Sequence, residues 1–400
     1  MGFADTARAR RLVTALGLDD ETASGADTTL LQALAAAADP DLALAALARM
    51  APDAELRQAL RADAVLRDRL VSVLGASAAL GDHLIRHQAD WRLLADSAPF
   101  PAPDESRDGS GWLQAGAADA AGPVTRLRVA YRRRLLRLAG GDLAGEYALD
   151  DVMAGLADAA SAALETALAI ARAELPADAA ACRLAVIAMG KCGARELNYS
   201  SDVDVIFVAG SAEPARLRSA TRLASRVIRI CSQTAPEGQL FPVDPNLRPE
   251  GRAGPLVRTV ASHLAYYERW ASTWEFQALL KARFVAGDAE LAAEYLAAIT
   301  PLVWQAAERD GFVADVQAMR RRVVASLPAE QAGRELKLGP GGLRDIEFAI
   351  QLLQLVHGRA DESLRLPGTL PALAALAAGG YVGRADAAAM AAAYRFLRGV

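Results

Sequence analysis

Asp202 and Asp204 stand two residues apart at the head of an apolar run that continues through Val205, Ile206, Phe207 and Val208. On a β-strand, residues i and i+2 share a face, with Cα atoms about 6.5 Å apart. Val203 and Val205 then point the other way, into a core. Two acids on one strand face can hold a divalent cation, and hard cations of that kind handle phosphates. Upstream, Leu184–Met189 predicts a short buried strand that ends in Gly190-Lys191-Cys192-Gly193. Backbone amides and one ammonium could meet an anion there, although a Walker loop needs Gly-Lys-Ser/Thr after a longer glycine loop. Ser200 and Ser201 immediately precede Asp202. Each could bond a phosphate oxygen, cap a turn or orient the acids. Asp-x-Asp alone is a weak signal, because Asp39-Pro40-Asp41 has the same form and predicts only a helix start. The context of a strand, a glycine turn and an acid-headed second strand distinguishes the later pair.

Another acid follows a later apolar segment. Leu240, Phe241 and Val243 precede Asp244, with an Asp-Pro turn as the other account of that residue. Arg248 and Arg252 follow, and guanidinium groups suit forked hydrogen bonds to phosphate. Between the strands, Arg222–Cys231 predicts a helix with Leu223, Val227 and Ile230 inward. His263–Lys281 predicts one or two helices, with Trp270 and Trp274 at i, i+4 on a shared core face. Glu275, Lys281 and Arg283 are within reach of the pocket, though surface ion pairs account for the two bases equally well. Lys337-Leu-Gly-Pro-Gly-Gly opens a helix whose buried stripe is Leu343, Ile346, Ile350 and Leu353, with Arg344, Asp345 and Glu347 on other faces. That turn would aim Lys337, Arg344 and the first helical amides at an anion.

Helices surround these segments. Residues 1–95 are expected to be helical, with Leu56, Leu60 and Val65, then Leu66, Leu70 and Leu74, at helical spacing and Gly75 as a stop. His83 and His87 are i, i+4, but no third ligand lies near them in sequence, so they are expected on an ordinary surface. Residues 97–123 are rich in Pro, Ser, Asp and Gly and predict an exposed linker. The helix Val124–Ala139 carries Arg126, Arg128, Arg132, Arg133, Arg134 and Arg137, expected as a solvated face, opposite Leu127, Tyr131, Leu135 and Leu138. A long helix Leu149–Leu175 is closed by Pro176. From Ala289 the chain is helical again, and the uncapped helix Asp386–Val400 suggests a chain that stops within an element.

Length and composition bound the rest. Four hundred residues allow two or three domains: 1–178 helical, 179–290 catalytic and 291–400 helical. A net charge of −4 offers no global footing for nucleic acid or a membrane surface as partner. No long charge-free apolar run predicts a membrane span or a signal peptide. The three cysteines, Cys182, Cys192 and Cys231, have no metal spacing, and their odd number suits a reduced, cytoplasmic setting.

The strand–glycine–Asp-x-Asp arrangement resembles the polymerase-β-like nucleotidyltransferase pattern, in which a third acid joins from a neighbouring strand. That likeness implies an α+β fold, a small mixed sheet with helices, flanked by mainly helical domains. Four ordered blocks sharpen it: GKCGARELNYSSDVDVIF, LRPEGRAGPLVR, YYERWASTWEFQALLKAR and LKLGPGGLRDIEF. Together they resemble the bifunctional glutamine synthetase adenylyltransferase/adenylyl-removing enzymes. Asn198-Tyr-Ser-Ser and Arg248-Pro-Glu-Gly are similar to the N-terminal, adenylyl-removing half of that family. The resemblance implies phosphorolysis of adenylylated glutamine synthetase, with phosphate consumed and ADP released, Mg2+ (or Mn2+) held by Asp202, Asp204 and Asp244, and control by a PII-type signal protein. It implies phosphate or nucleotide contacts from Gly190, Lys191, Ser200, Ser201, Arg248, Arg252, Lys281, Arg283, Lys337 and Arg344. Pro245-Asn246 departs from relatives that have an apolar residue and an arginine there. Transfer of AMP from ATP, or a non-catalytic binding module, are the competing functions.

Overall fold

A computed structural model describes residues 2–18, 25–50, 53–95, 122–328, 330 and 334–399. Most of the linker expected at 97–123 lies outside the described residues. The fold is α+β, with two compact units: residues 1–155 with 234–240, and residues 156–233 with 241–400. The division falls inside the long helix Leu149–Glu174, and residues 291–400 sit in the same unit as the sheet. Pro176 does not merely close that helix; it starts the next, Pro176–Ala181, where its missing N–H costs nothing.

The second unit is built on a five-stranded mixed sheet: β1 (Leu184–Ala188), β2 (Val203–Ala209), β3 (Val243–Asp244), β4 (Val257–Thr259) and β5 (Arg283–Gly287). The order is β3-β2-β1-β5, with β4 also paired to β2. β1 runs antiparallel to both β2 and β5, while β3 and β4 run parallel to β2. Every residue of β1 is buried, as expected of a continuous apolar run in the middle of a covered sheet. Alternation along the strands separates two faces. Ala185, Ile187, Met189, Ile206 and Val208 join Tyr267, Phe276, Leu291 and Tyr295 in one core. Val203 and Val205 are buried on the other face, as the strand period requires.

The helices Val260–Arg269 and Thr273–Leu279 are separate elements, and the break between them overturns one expectation. Trp270 terminates the first helix, and the chain re-enters helix only after Ser272. The i, i+4 relation to Trp274 therefore no longer defines a shared face, and Trp270 is 75% exposed. Arg309 fills the break, donating to the carbonyls of Ala271 (2.6 Å) and Tyr267 (3.1 Å) with its guanidinium over Phe276. Farther on, Leu343, Ile346 and Ile350 form a second core with Leu370, Leu373, Leu376 and Tyr394.

The first unit is helical. Asp39 caps the helix Pro40–Met50 through Leu42 N–H (2.9 Å), so the earlier Asp-x-Asp is indeed a helix start. Leu56, Leu60, Leu66, Leu70 and Leu74 are buried, but Val65 is exposed because Asp63 ends one helix and caps the next. Gly75 is not a stop. It lies inside Ala64–Ala76, where a Cβ would come within 2.8 Å of Ala37 Cβ. The arginine face of the helix Pro123–Leu143 is packed rather than solvated: Arg128 is buried, Arg133 pairs with Asp90 (2.8 Å) and Arg132 donates to Gln239 O (3.0 Å). His83 is fully buried against Asp90 and His87 meets Glu237, so the expected ordinary histidine surface is absent. Among the described residues, Leu149–Glu174 alone is long and apolar enough to cross a membrane, and 72% of its apolar window is buried, as in a core helix. None of the three cysteines is joined in a disulfide.

Candidate active site

The acids are assembled by strand register. β2 and β3 are parallel, with Val203 beside Val243 and Asp204 beside Asp244. In-register residues on adjacent strands share a face and lie about 4.8 Å apart. Asp202 sits one residue before β2, two positions from Asp204. One carboxylate oxygen from each of the three lies within 4.8 Å of the others. Asn246 N–H donates to Asp244 Oδ1 at 2.7 Å. Asp244 thus makes the Asp-Pro turn and joins the cluster, oriented by a backbone amide that does not depend on the side chain at 246.

Three close carboxylates repel. Asp204 bears most of the consequence: burial first, then the charges of Asp202 and Asp244, push its carboxyl up to about 6, against the pull of Lys337 and Arg344. Hard oxygen donors at this spacing fit a Mg2+- or Mn2+-like cation, since ligand oxygens on opposite sides of such an ion stand roughly 4–5 Å apart.

The glycine turn makes room for the acids. Gly190 has φ of +53°, and a Cβ there would lie 2.4 Å from Asp204 Oδ2. Met189 N–H donates to Asp204 O at 2.9 Å, tying the turn to β2. A Cβ on Gly193 would lie 1.9 Å from the Lys281 carbonyl oxygen. Ser201 Oγ donates to Asp202 O (2.9 Å), and Ser200 is exposed beside it.

The expected basic residues divide into two groups. Lys191, Lys337 and Arg344 share the field of the acids. Lys191 is half-buried, and its ammonium is pushed down to about 8, first by burial, then by Lys337 and Arg398, with Glu347 and Asp202 opposing. Lys337 is exposed at the tip of a loop clamped by Arg320, which pairs with Asp345 and donates to Leu338 O (2.9 Å) and Gly339 O (3.0 Å). The first amides of the helix Leu343–His357 are not open to an anion, however. Those of Leu343 and Arg344 donate to Leu336 O and Lys337 O, both at 2.9 Å.

The second group, apart from Arg252, is committed to structure. Lys281 is 6% exposed and pairs with Glu196 (3.1 Å). Arg283 donates to Cys192 O (2.8 Å), Gly193 O (3.1 Å) and Ser161 Oγ (3.1 Å), bracing the glycine turn. Arg248 donates to Pro245 O (2.8 Å) and Gly254 O (3.2 Å) within its own loop. Arg252 is exposed on that loop. Glu275 is a helix cap, accepting from Ser272 N–H (2.9 Å) and Tyr266 OH (3.1 Å).

Two carboxylates escape a reading of the sequence. Glu347 was expected on an outer face but is 8% exposed. Burial alone would raise its carboxyl; Lys281, Arg344, Lys191 and Arg398 instead hold it below the usual range. Its signal was available, since Leu343 and Glu347 are i, i+4 and share the buried side of the helix. Glu196 offered none. Its partners are Lys281, Thr369 (Oγ1, 2.9 Å) and Arg398, which donates to its carbonyl.

Two measurements follow from this geometry. In the chelated chain, ionised Asp204 is destabilising at neutral pH, because its folded pKa exceeds the unfolded value. Its contribution is intact below about pH 4 and is lost as pH rises through about 6, a loss of about 3 kcal/mol for a shift of this size. Asp204→Asn should therefore gain stability over the parent between pH 4 and pH 7.5, by about 2–3 kcal/mol in urea unfolding. Equal pH dependence in both proteins would contradict this. Lys281→Met should lose about 3–5 kcal/mol, because it strands a buried carboxylate. A change below about 1 kcal/mol would mean that Lys281 is no structural partner.

Known proteins match this sequence along nearly all of its length. The family model for glutamate-ammonia ligase adenylyltransferase matches residues 67–298, and that for GlnD PII-uridylyltransferase matches residues 316–400. A protein of Streptomyces avermitilis named bifunctional glutamine synthetase adenylyltransferase/adenylyl-removing enzyme is 60% identical over 99% of the chain. Proteins of the same name from Streptomyces coelicolor and Mycobacterium avium are 58% and 52% identical, over 99% and 100% of the chain. The chain spans about 40% of the length of each of these relatives. The first model alone covers more than half of the sequence, and it includes all three acids, the glycine turn and every strand of the sheet: the chain belongs to the glutamate-ammonia ligase adenylyltransferase family.

Proposed function

We propose that this chain removes AMP from adenylylated glutamine synthetase by phosphorolysis. The observation that carries the proposal is the Asp202–Asp204–Asp244 cluster in the field of Lys337 and Arg344. Removal, rather than transfer of AMP from ATP, is supported by Asn198-Tyr-Ser-Ser and Arg248-Pro-Glu-Gly, which are similar to the adenylyl-removing half of the family.

In this reaction a phosphate oxygen attacks the AMP phosphorus. The bond from phosphorus to the tyrosine oxygen breaks, and its electron pair stays on the tyrosine, which leaves as phenolate and takes up a proton. The AMP unit, joined to the attacking phosphate, is released as ADP. Phenol has a pKa of about 10, so phenolate is a workable leaving group, and phosphate is already anionic. The difficulty is to bring one anion onto another. Asp202, Asp204 and Asp244 would hold Mg2+ or Mn2+, which supplies positive charge to the reacting phosphoryl oxygens. Lys337 and Arg344 attract the incoming phosphate, and Lys191 adds charge beside the glycine turn. Gly190 keeps Asp204 Oδ2 free of steric cover. The partners are then adenylylated glutamine synthetase, phosphate and ADP. The name of the second family model, over residues 316–400, fits control by a PII-type protein; a cytoplasmic setting is part of the same proposal.

Incubation of the chain with adenylylated glutamine synthetase, Mg2+ and phosphate should release ADP. Incorporation of AMP from ATP into unmodified synthetase, without ADP release, would replace removal by transfer. Asp202→Asn should fold normally and lose about a thousandfold in kcat. Lys337→Ala should raise KM for phosphate by about tenfold with little change in stability. Near-normal turnover in Asp202→Asn would overturn the site.

A further inference from the structure

The helical unit holds a second cluster of ligating groups. His83 lies in the helix Ala78–Arg86 and His87 terminates it, with ring centroids 4.8 Å apart. Glu237 arrives from the loop 234–240, in the same compact unit but 150 residues along the chain. One ligating atom from each of His83, His87 and Glu237 lies within 4.8 Å of the others.

The state of His83 separates this cluster from a chance encounter. The residue is fully buried. Its Nε2 lies 2.9 Å from Asp90 Oδ2, and the same oxygen accepts from Arg133 Nε at 2.8 Å. A carboxylate salt-bridged to arginine can only accept, so Nε2 carries the proton and donates it. Nδ1 is then left with its lone pair, and it is buried with no hydrogen-bond partner. A buried acceptor without a donor is costly unless something else binds it. Histidines that bind metals commonly have this arrangement: one nitrogen donates to a carboxylate, and the other is left basic and oriented for the ion.

His87 and Glu237 complete a donor set. His87 Nε2 lies 3.1 Å from Glu237 Oε2, and their side chains are 23% and 15% exposed. The cluster is therefore sealed at His83 and open to solvent at the other two. Arg86 also approaches Glu237, at 3.6 Å, and part of that carboxylate's charge is already balanced. An ordinary ion pair explains His87 and Glu237, but it leaves His83 Nδ1 unexplained.

We infer that His83, His87 and Glu237 form a binding site for a divalent first-row transition metal, with Zn2+ the best fit. Two imidazole nitrogens and one carboxylate oxygen make a borderline-soft set that suits Zn2+ and disfavours Mg2+, the reverse of the all-carboxylate site. Water would take the fourth position. The ion would fasten the loop 234–240 to the end of the helix Ala78–Arg86, joining two segments of one unit.

The test uses the full chain carrying Asp202→Asn and Asp204→Asn, so that the carboxylate cluster does not compete. After chelation, the protein is dialysed against Zn2+ with excess Mg2+, and bound zinc is counted. Co2+ is added separately and its visible absorption recorded. The expected result is one Zn2+ per chain, Co2+ bands of four-coordinate intensity, and a melting temperature raised by about 3–5 °C. His87→Ala and Glu237→Ala, both at partly exposed positions, should each weaken Zn2+ binding at least about a hundredfold. Asp90→Asn should weaken it about ten- to a hundredfold by releasing His83. Glu237→Gln, which keeps the size of the side chain and a contact to His87, serves as a second variant and should also lose the ion. Less than half an equivalent of Zn2+ in the background protein would overturn the site. So would equal binding after both His87→Ala and Glu237→Gln, which would leave His87 and Glu237 as an ion pair only.

Discussion

Repulsion among three carboxylates is the constraint around which the sheet unit is arranged. The parallel register of β2 and β3 leaves Asp204 and Asp244 no choice but adjacency, and the i, i+2 relation adds Asp202. Hydrophobic burial enforces that register. A one-residue slip would drive Val203, Val205 and Val243 out of the core and turn the acids inward. The favourable burial of apolar strands thus sustains an unfavourable cluster of charge, the kind of strain that folds retain where a ligand will relieve it.

The neighbourhood shows how that strain is contained. Gly190 yields space that any side chain would take. Basic groups stand back from direct pairing: Lys337 and Arg344 act on Asp204 through the field rather than through a hydrogen bond that would occupy its oxygens. Other cations are spent on the scaffold. Arg283 holds the carbonyls of the glycine turn, Arg248 holds its own loop, and Arg320 with Asp345 holds the loop that bears Lys337. A cluster rich in arginine and lysine therefore contains few groups that can meet a substrate.

This division also explains what could be read from the sequence and what could not. Local patterns carried far: the apolar runs of β1 and β2, the acids at the head of β2, the stripe at Leu343, Ile346 and Ile350, and the helices before residue 95. Asp244 was legible because an apolar segment led into it. Failures came where the partner of a residue is remote. Nothing near Lys281 or Arg283 announces Glu196 or the carbonyl of Cys192, and a basic residue looks the same whether it will face phosphate or a buried acid. His83 and His87 lacked a third ligand in sequence because Glu237 is 150 residues away. Trp270 and Val65 failed for a local reason, since each lies where one helix gives way to another and the 3.6-residue period is interrupted. The family resemblance reached beyond these patterns because it compares whole ordered blocks, and it does not depend on which partner each base finds.

The contacts of Glu196 have a temporal side. This residue follows the glycine turn, and it is joined by Lys281, by Thr369 and, through its carbonyl, by Arg398, which is 202 positions later. On a ribosome adding about 5–20 residues per second, Arg398 is made roughly 10–40 s after Glu196. For that interval the glycine turn and the acids beside it already exist as chain, but the braces that fix them do not. The strands that carry the acids are synthesised before Lys281, Thr369 and Arg398, which hold Glu196 beside them. A nascent polypeptide thus carries the glycine turn and its acids for that interval without the contacts of Thr369 and Arg398 to Glu196.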